Sequence, residues 1–275
     1  MGRYLPFAGK NAIAEMSIGI LFQSAFDPGF AEKFPVIKDE FAADFSKCEP
    51  MQQFVLNFGA AQPFPFPPSV QPPQNPSGVT FTNVRADGSP ARLFRIMSNS
   101  ISFHMMEYTS WKEAKSLALN YIARSLTKLA TIDKNPATAF VVRYCDRFTF
   151  DGDPKTASAE NLLRRDSGFV VASVFGSGPN WHCNSGWYQP LINEDVALNN
   201  LNIASALMQA TSSVTIDHTN LFGLAKPCNS LSELQEGTKD RPPLEDVLNK
   251  QHQANVEVLK KLLIPEILKA IGLEA

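Results

Sequence analysis

Apolar and polar positions alternate along residues 12–22. Ala12, Ala14, Met16, Ile18, Ile20 and Phe22 fall on one side, and Glu15, Ser17 and Gly19 on the other. A period of two over that length predicts a half-buried strand. After Asp27-Pro28-Gly29 the period changes. Phe30, Phe34, Ile37, Phe41 and Phe45 recur at helical spacing and predict a helix over 30–45, with Pro35 in its first turn. A strand is expected at Met51–Phe58. The prolines between Pro63 and Pro76 then exclude helix and central strand and leave an extended loop of polyproline character. Three strands follow at 79–85, 91–98 and 101–108, the first pair joined by the turn Ala86-Asp87-Gly88-Ser89. Ser110-x-x-Glu113 is a capping box, and Ala114, Leu117, Ala118, Tyr121, Ile122, Leu126 and Leu129 form the apolar stripe of a long helix.

The second half repeats this layout. Strands are expected at 139–150, 169–175, 187–192, 197–208 and 214–224, with a short helix at 158–165 and a loop at Gly176–Asn180. A connector over 229–243 leads to a final helix whose face carries Leu244, Val247, Leu248, Gln251, Asn255, Val258, Leu259 and Leu262, interrupted at Pro265. Hairpin-linked strands with singly appended helices predict an α+β fold, mainly antiparallel, with two long amphipathic helices. The repeated strand–helix–strands–helix order suggests an internal duplication, with halves at 1–133 and 134–275. One continuous domain is the alternative.

Composition narrows the function classes. Hydrophobic residues are 44% and charged residues 19% of the 275, which supports a sizeable core and disfavours disorder. A net charge of −2 gives no broad positive field, so nucleic acid is the less favoured partner. Four scattered cysteines, with no Cys-x-x-Cys pair, no signal-like apolar segment and no run long enough to span a membrane, lead to the expectation of a cytoplasmic protein with reduced thiols and no membrane association. Among 28 aromatic residues, 20 are Phe, which points to a core of rings that need no hydrogen-bond partner.

Leu5-Pro6-Phe7 through the Glu15-bearing strand to Phe22, the segment Phe140–Phe148, Ile216-Asp217, and Leu244–Gly272 with His252 inside it resemble a sporadically distributed bacterial family of uncharacterised proteins. Asp146 stands where that family usually has Asn. The resemblance spans most of the chain, implies the same α+β organisation and supplies no assigned activity. Its sporadic distribution implies an accessory role such as phage defence or toxin control.

No Walker loop, His-Glu-x-x-His, Gly-x-Ser-x-Gly or zinc-ligand spacing occurs, so no catalytic residue, metal or cofactor is assigned. Arg143 and Arg147 share a strand face, with Asp146 on the other; they suit an anion or partner, or equally a salt-bridged outer face. Trp181, His182 and Trp187, within a glycine-flanked segment, suit a recognition loop, or equally an aromatic anchor closing a hairpin. His182 and the adjacent Cys183 point apart on an extended chain and cannot form a nucleophile–base pair. The leading expectation is a non-enzymatic binding or regulatory protein acting on a protein partner, with strand-to-strand homodimerisation a further option. The alternatives are a ligand or enzyme site between the halves, drawing on His104, Arg143 and His218, or a nucleic-acid accessory role.

Overall fold

The computed structural model describes residues 2–26, 33–51, 55–56, 70–71, 78–129, 135–192, 195–208, 210–239 and 241–273. Over these the chain is α+β, built on a large antiparallel sheet with five helices. The strands are β1 (Arg3–Pro6), β2 (Ile13–Phe22), β3 (Lys47–Met51), β4 (Val55–Leu56), β5 (Val70–Gln71), β6 (Gly78–Val84), β7 (Pro90–Met97), β8 (Ser100–Met105), β9 (Ala137–Asp151), β10 (Trp181–Ile192), β11 (Asp195–Met208) and β12 (Thr211–Cys228). The helices are α1 (Phe34–Phe41), α2 (Trp111–Leu129), α3 (Leu231–Glu236), α4 (Leu244–Leu262) and α5 (Pro265–Ala270).

Ten strands form one sheet in the order β10-β11-β12-β9-β2-β8-β7-β6-β3, with β1 also paired to β9; β4 and β5 pair only with each other. The sheet crosses the 133/134 boundary through β2 and β9, where Ile18 lies opposite Val142. β1 takes the far end of the same edge of β9, from Phe148 to Asp151.

Strand alternation decides which side is covered. In β9, Phe140, Val142, Tyr144, Phe148 and Phe150 are buried, while Arg143 and Cys145 are half-buried and Arg147 is exposed. The buried faces of β2, β7, β8, β9, β11 and β12 all point to one side, and all five helices pack there. One core cluster lies beneath α1, α2, α3 and the start of α4; the other lies beneath the end of α4 and α5. Phe41, Phe45, Phe81, Phe94 and Tyr121 form the densest aromatic group of the first cluster, with ring centroids 5.1–6.4 Å apart. Edge and tilted contacts of this kind suit the ring quadrupoles.

Local chemistry sets the helix ends. At α2 the Ser110 hydroxyl accepts the Glu113 N–H at 3.3 Å, and the Glu113 carboxylate accepts from the Thr109 hydroxyl. α4 carries Glu245 and Asp246 in its first turn and Lys260 and Lys261 in its last, matching the helix dipole. It stops because Pro265 lacks an N–H and drives Ile264 into an extended conformation. The extended Leu263 bridges to Leu163 instead.

Three expectations are corrected. Residues 169–175 are not a strand; they lead into a 3-10 turn at Ala172–Gly176. Residues 158–165 hold only a 3-10 turn at Ala159–Asn161. Trp181–Trp187 is not a loop but the first half of β10, because Trp181, Cys183, Ser185 and Trp187 face the helices while His182, Asn184 and Gly186 face outward. Glycine and asparagine are tolerated there because that face carries no core. Of the expected 30–45 helix, residues 34–41 are helical and 30–32 lie outside the described residues, as do most of the 51–58 strand and of the proline-rich segment.

Phe41→Ala should therefore lower unfolding stability by about 3–5 kcal/mol in urea titrations, the range for deleting a fully buried ring. Val36→Ala, at a side chain 56% exposed on the same helix, should change it by less than about 0.5 kcal/mol.

Candidate functional site

The face of the sheet that carries no helix among the described residues is ordered in cross-strand rows. One row runs Tyr188, Leu198, Leu221, Val141, Gly19, Ser102, Arg95 and Thr80. The next runs Gly186, Asn200, Thr219, Arg143, Ser17, His104, Leu93 and Thr82. A third contains Asn184, Asn202, Asp217, Cys145 and Glu15. The first row is apolar on its second-half side and polar on its first-half side.

Around the β2–β9 seam, five polar side chains join. Glu15 Oε1 lies 2.8 Å from His104 Nδ1, and His104 Nε2 lies 3.0 Å from the Ser102 hydroxyl. Glu15 Oε2 lies 3.6 Å from an Arg143 Nη1, and Arg143 Nε donates to both oxygens of Asp217, at 2.9 and 3.0 Å. Arg143 Nη2 also donates to Asp217. The hydrogen bond from His104 holds the Glu15 carboxyl below its ordinary 4.5, outweighing partial burial. The hydrogen bonds to Asp217 raise the Arg143 pKa against the opposing effect of burial. Burial raises the Cys145 thiol between them, so it stays protonated and is a poor nucleophile or metal ligand.

These contacts locate the sequence candidates. Arg143 sits in the junction cluster. Arg147 is on the same face, exposed, with its guanidinium 5.0 Å from the Phe7 ring centroid. His182 is also on that face, at the β10 end, bonded to Asn202 at 2.7 Å. Trp181 is buried on the helix side. Trp187 is half-buried there, stacked on His218 at 6.0 Å, with its indole N–H donating to Gln189 at 3.1 Å. It lines a groove of about 460 Å³ with Phe169, Lys250 and Val258. The proposed convergence of His104, Arg143 and His218 does not occur: His104 and Arg143 meet through Glu15, but His218 points from the opposite face of β12 into the core. Glu15, Ser102 and Asp217 were not candidates in the sequence. The available signal was a carboxylate placed mid-strand among small residues on an otherwise apolar strand.

A separate polar network lies beneath α4. His218 Nδ1 meets Asn255 Oδ1 at 2.9 Å and Nε2 meets Asn199 Oδ1 at 3.0 Å. Burial lowers the His218 pKa, so the ring is neutral and can donate from only one nitrogen. Each ring nitrogen therefore faces an amide oxygen, Asn255 Oδ1 or Asn199 Oδ1, and Asn199 Oδ1 also accepts from Asn220 Nδ2 at 2.7 Å. Gln251 Nε2 donates to the carbonyls of Phe140 and Asn220, at 3.2 and 2.9 Å, and the Tyr144 hydroxyl is hydrogen-bonded to His252 Nδ1 at 2.7 Å. Burial and then Lys115 push His252 down to about 4, and its ring stacks on Trp111 at 4.5 Å. The network is buried except for the half-buried His252, and it seats α4 on the sheet.

No group of His, Cys, Asp and Glu among the described residues is spaced to hold a metal ion. No described helix is long and apolar enough to cross a membrane. No protein-family model and no curated protein matches the sequence.

Two pH dependences follow. The Glu15 pKa is depressed in the fold, so its contribution is present above about pH 4.5 and is lost as pH falls through the lower folded value. Urea titrations should show wild type and Glu15→Gln separated at pH 7 and converging towards pH 3; a constant gap would contradict this. Asp146 is fully buried, its Oδ2 has no partner among the described residues, and burial raises its pKa to about 7. Its contribution is present below the ordinary 3.8 and is lost as pH rises through about 7. Asp146→Asn should remove that loss, gaining on wild type by roughly 1.4 kcal/mol per unit of pH over most of that interval.

Proposed function

We propose that this chain is a binding protein whose recognition surface is the helix-free face of the sheet, covered in use by a protein partner. One observation carries the reading. All five helices among the described residues lie on one side of a ten-stranded sheet, and the other side presents a row from Tyr188 through Leu198 and Leu221 to Val141. Tyr188 is 71% exposed and neighbouring Val196 is 48% exposed on that face. An exposed aromatic and aliphatic patch beside hydrogen-bonding rows is the composition of an interface core with its rim. Arg95, Arg143 and Arg147 there are nearly balanced by Glu15 and Asp217, which favours a protein over nucleic acid.

The strand order supports an internal duplication. β2 and β9 lie side by side at the centre, and each pairs on its other side with the last strand of its own half, β8 and β12. β7 and β6 then continue outward on one side, and β11 and β10 on the other. The second reading, a ligand or enzyme site between the halves, is favoured by the cluster at that central seam. Glu15, Ser102 and His104 come from the first half and Arg143 and Asp217 from the second.

The docking reading is tested with tagged full-length protein as bait in its native host. Wild type should retain a stoichiometric protein that Tyr188→Glu with Val196→Glu loses and that Val36→Glu, on the helix side, keeps. Equal recovery by all three baits would reject the face. Sedimentation of the purified chain separates a second copy from a different protein as the occupant.

A further inference from the structure

We propose that the central cluster is a serine nucleophile site that hydrolyses esters of aliphatic acyl groups. The inference deepens the junction-site reading and does not depend on partner docking. Ser102, His104 and Glu15 form a continuous relay, with Oγ to Nε2 at 3.0 Å and Nδ1 to Oε1 at 2.8 Å. A carboxylate can only accept, so the imidazole carries a proton on Nδ1, and in the neutral ring the lone pair is on Nε2. The Ser102 hydroxyl must then donate to Nε2, the starting geometry for general-base activation. Glu15 is a positioning residue, held from its other oxygen by Arg143, which Asp217 fixes in turn.

Two neighbours suit an incoming carbonyl. Arg95 stands directly opposite Ser102 on β7; it makes no hydrogen bond or ion pair among the described residues, and its Nε is buried without a partner. Its guanidinium, whose charge also helps hold the Glu15 carboxyl low, is the cation on this row suited to stabilise an oxyanion. Gly19 stands opposite Ser102 on β2, where an added Cβ would come 3.4 Å from the Ser102 Cβ. The missing side chain leaves that flank of the hydroxyl open. Beyond Gly19 the same row continues as Val141, Leu221 and Leu198. From Ser102 to Leu198 is four strand spacings, about 19 Å. That track fits an aliphatic chain whose carboxyl end lies at Ser102.

In the reaction, His104 Nε2 takes the hydroxyl proton as Oγ bonds to the ester carbon, and the carbonyl π pair moves to its oxygen beside Arg95. Collapse restores the carbonyl and breaks the bond to the alcohol, whose oxygen leaves with the electron pair and takes the proton from His104. Water then adds to the acyl-serine, giving its proton to Nε2. The carboxylic acid departs as Oγ recovers that proton. The sum is ester plus water to acid plus alcohol, with no redox change.

The full-length protein is tested with a fluorophosphonate probe, p-nitrophenyl acetate and octanoate, and sodium octanoate. The probe should form one adduct, mapped to Ser102, and be lost entirely in Ser102→Ala, a small change whose fold is checked by thermal melting. His104→Gln should slow labelling by about 10²-fold or more. Glu15→Gln should lower kcat at unchanged KM, with partial recovery in Glu15→Asp. Octanoate ester should exceed acetate in kcat/KM by about tenfold or more. No adduct on folded wild type, or an adduct that persists in Ser102→Ala, overturns the nucleophile. Equal turnover of the two esters overturns the acyl track. A rise in Tm with sodium octanoate but no adduct rejects hydrolysis and leaves a ligand site at the junction; neither response removes both.

Discussion

The antiparallel ladder between β2 and β9 is the contact on which the rest depends. Residues 13–22 and 137–146 exchange backbone hydrogen bonds there, and every other strand is placed by its distance from that seam. Because side chains alternate in a strand, one register fixes two surfaces together. Ile18 and Val142 go to the core, and Ser17 and Arg143 to the open face. A slip of β2 by one residue against β9 would turn Glu15 beneath the helices and Met16 to the open face. The core and the polar cluster are therefore not independent features; the pairing that makes one makes the other.

The two faces divide the work. On the helix side, buried amides and imidazoles are bonded largely to one another and to backbone carbonyls, which seats α4 without a mobile charge. On the other side, charges are paired yet half in contact with solvent, so each can be reorganised by a ligand at modest cost. Asp146 is the exception on the core side: a carboxyl whose burial favours the neutral form. It lies on the same strand as Arg143, facing the other way.

Much of the architecture was legible in local pattern. The alternation at Ala12–Phe22 and the stop at Pro265 are properties of a few adjacent residues, and they read correctly. The segment around Trp181 misread because glycine and asparagine resemble a loop when only composition is weighed, although Trp181, Cys183, Ser185 and Trp187 already alternated. The polar cluster was illegible for a different reason. Glu15 and His104 are 89 residues apart, and Arg143 and Asp217 are 74 apart. Their meeting is a consequence of strand order, which no short motif encodes. His104 and His218, grouped in sequence by their similar places before long helices, part company because Leu93 and Ser17 flank one on the open face while Leu201 and Tyr144 flank the other in the core.

The seam also has a schedule. β2 ends at Phe22 and its partner β9 begins at Ala137, with roughly 115 residues between them. At ribosomal speeds of about 5–20 residues per second, the first strand waits some 6–23 s for its partner to be made. Through that interval the N-terminal half can assemble β2, β8, β7 and β6 but must leave one flank of β2 unpaired, an open edge of backbone donors and acceptors flanked by Met16, Ile18 and Ile20. The strand that ends at the centre of the finished sheet is, while the chain is being born, its most adhesive margin.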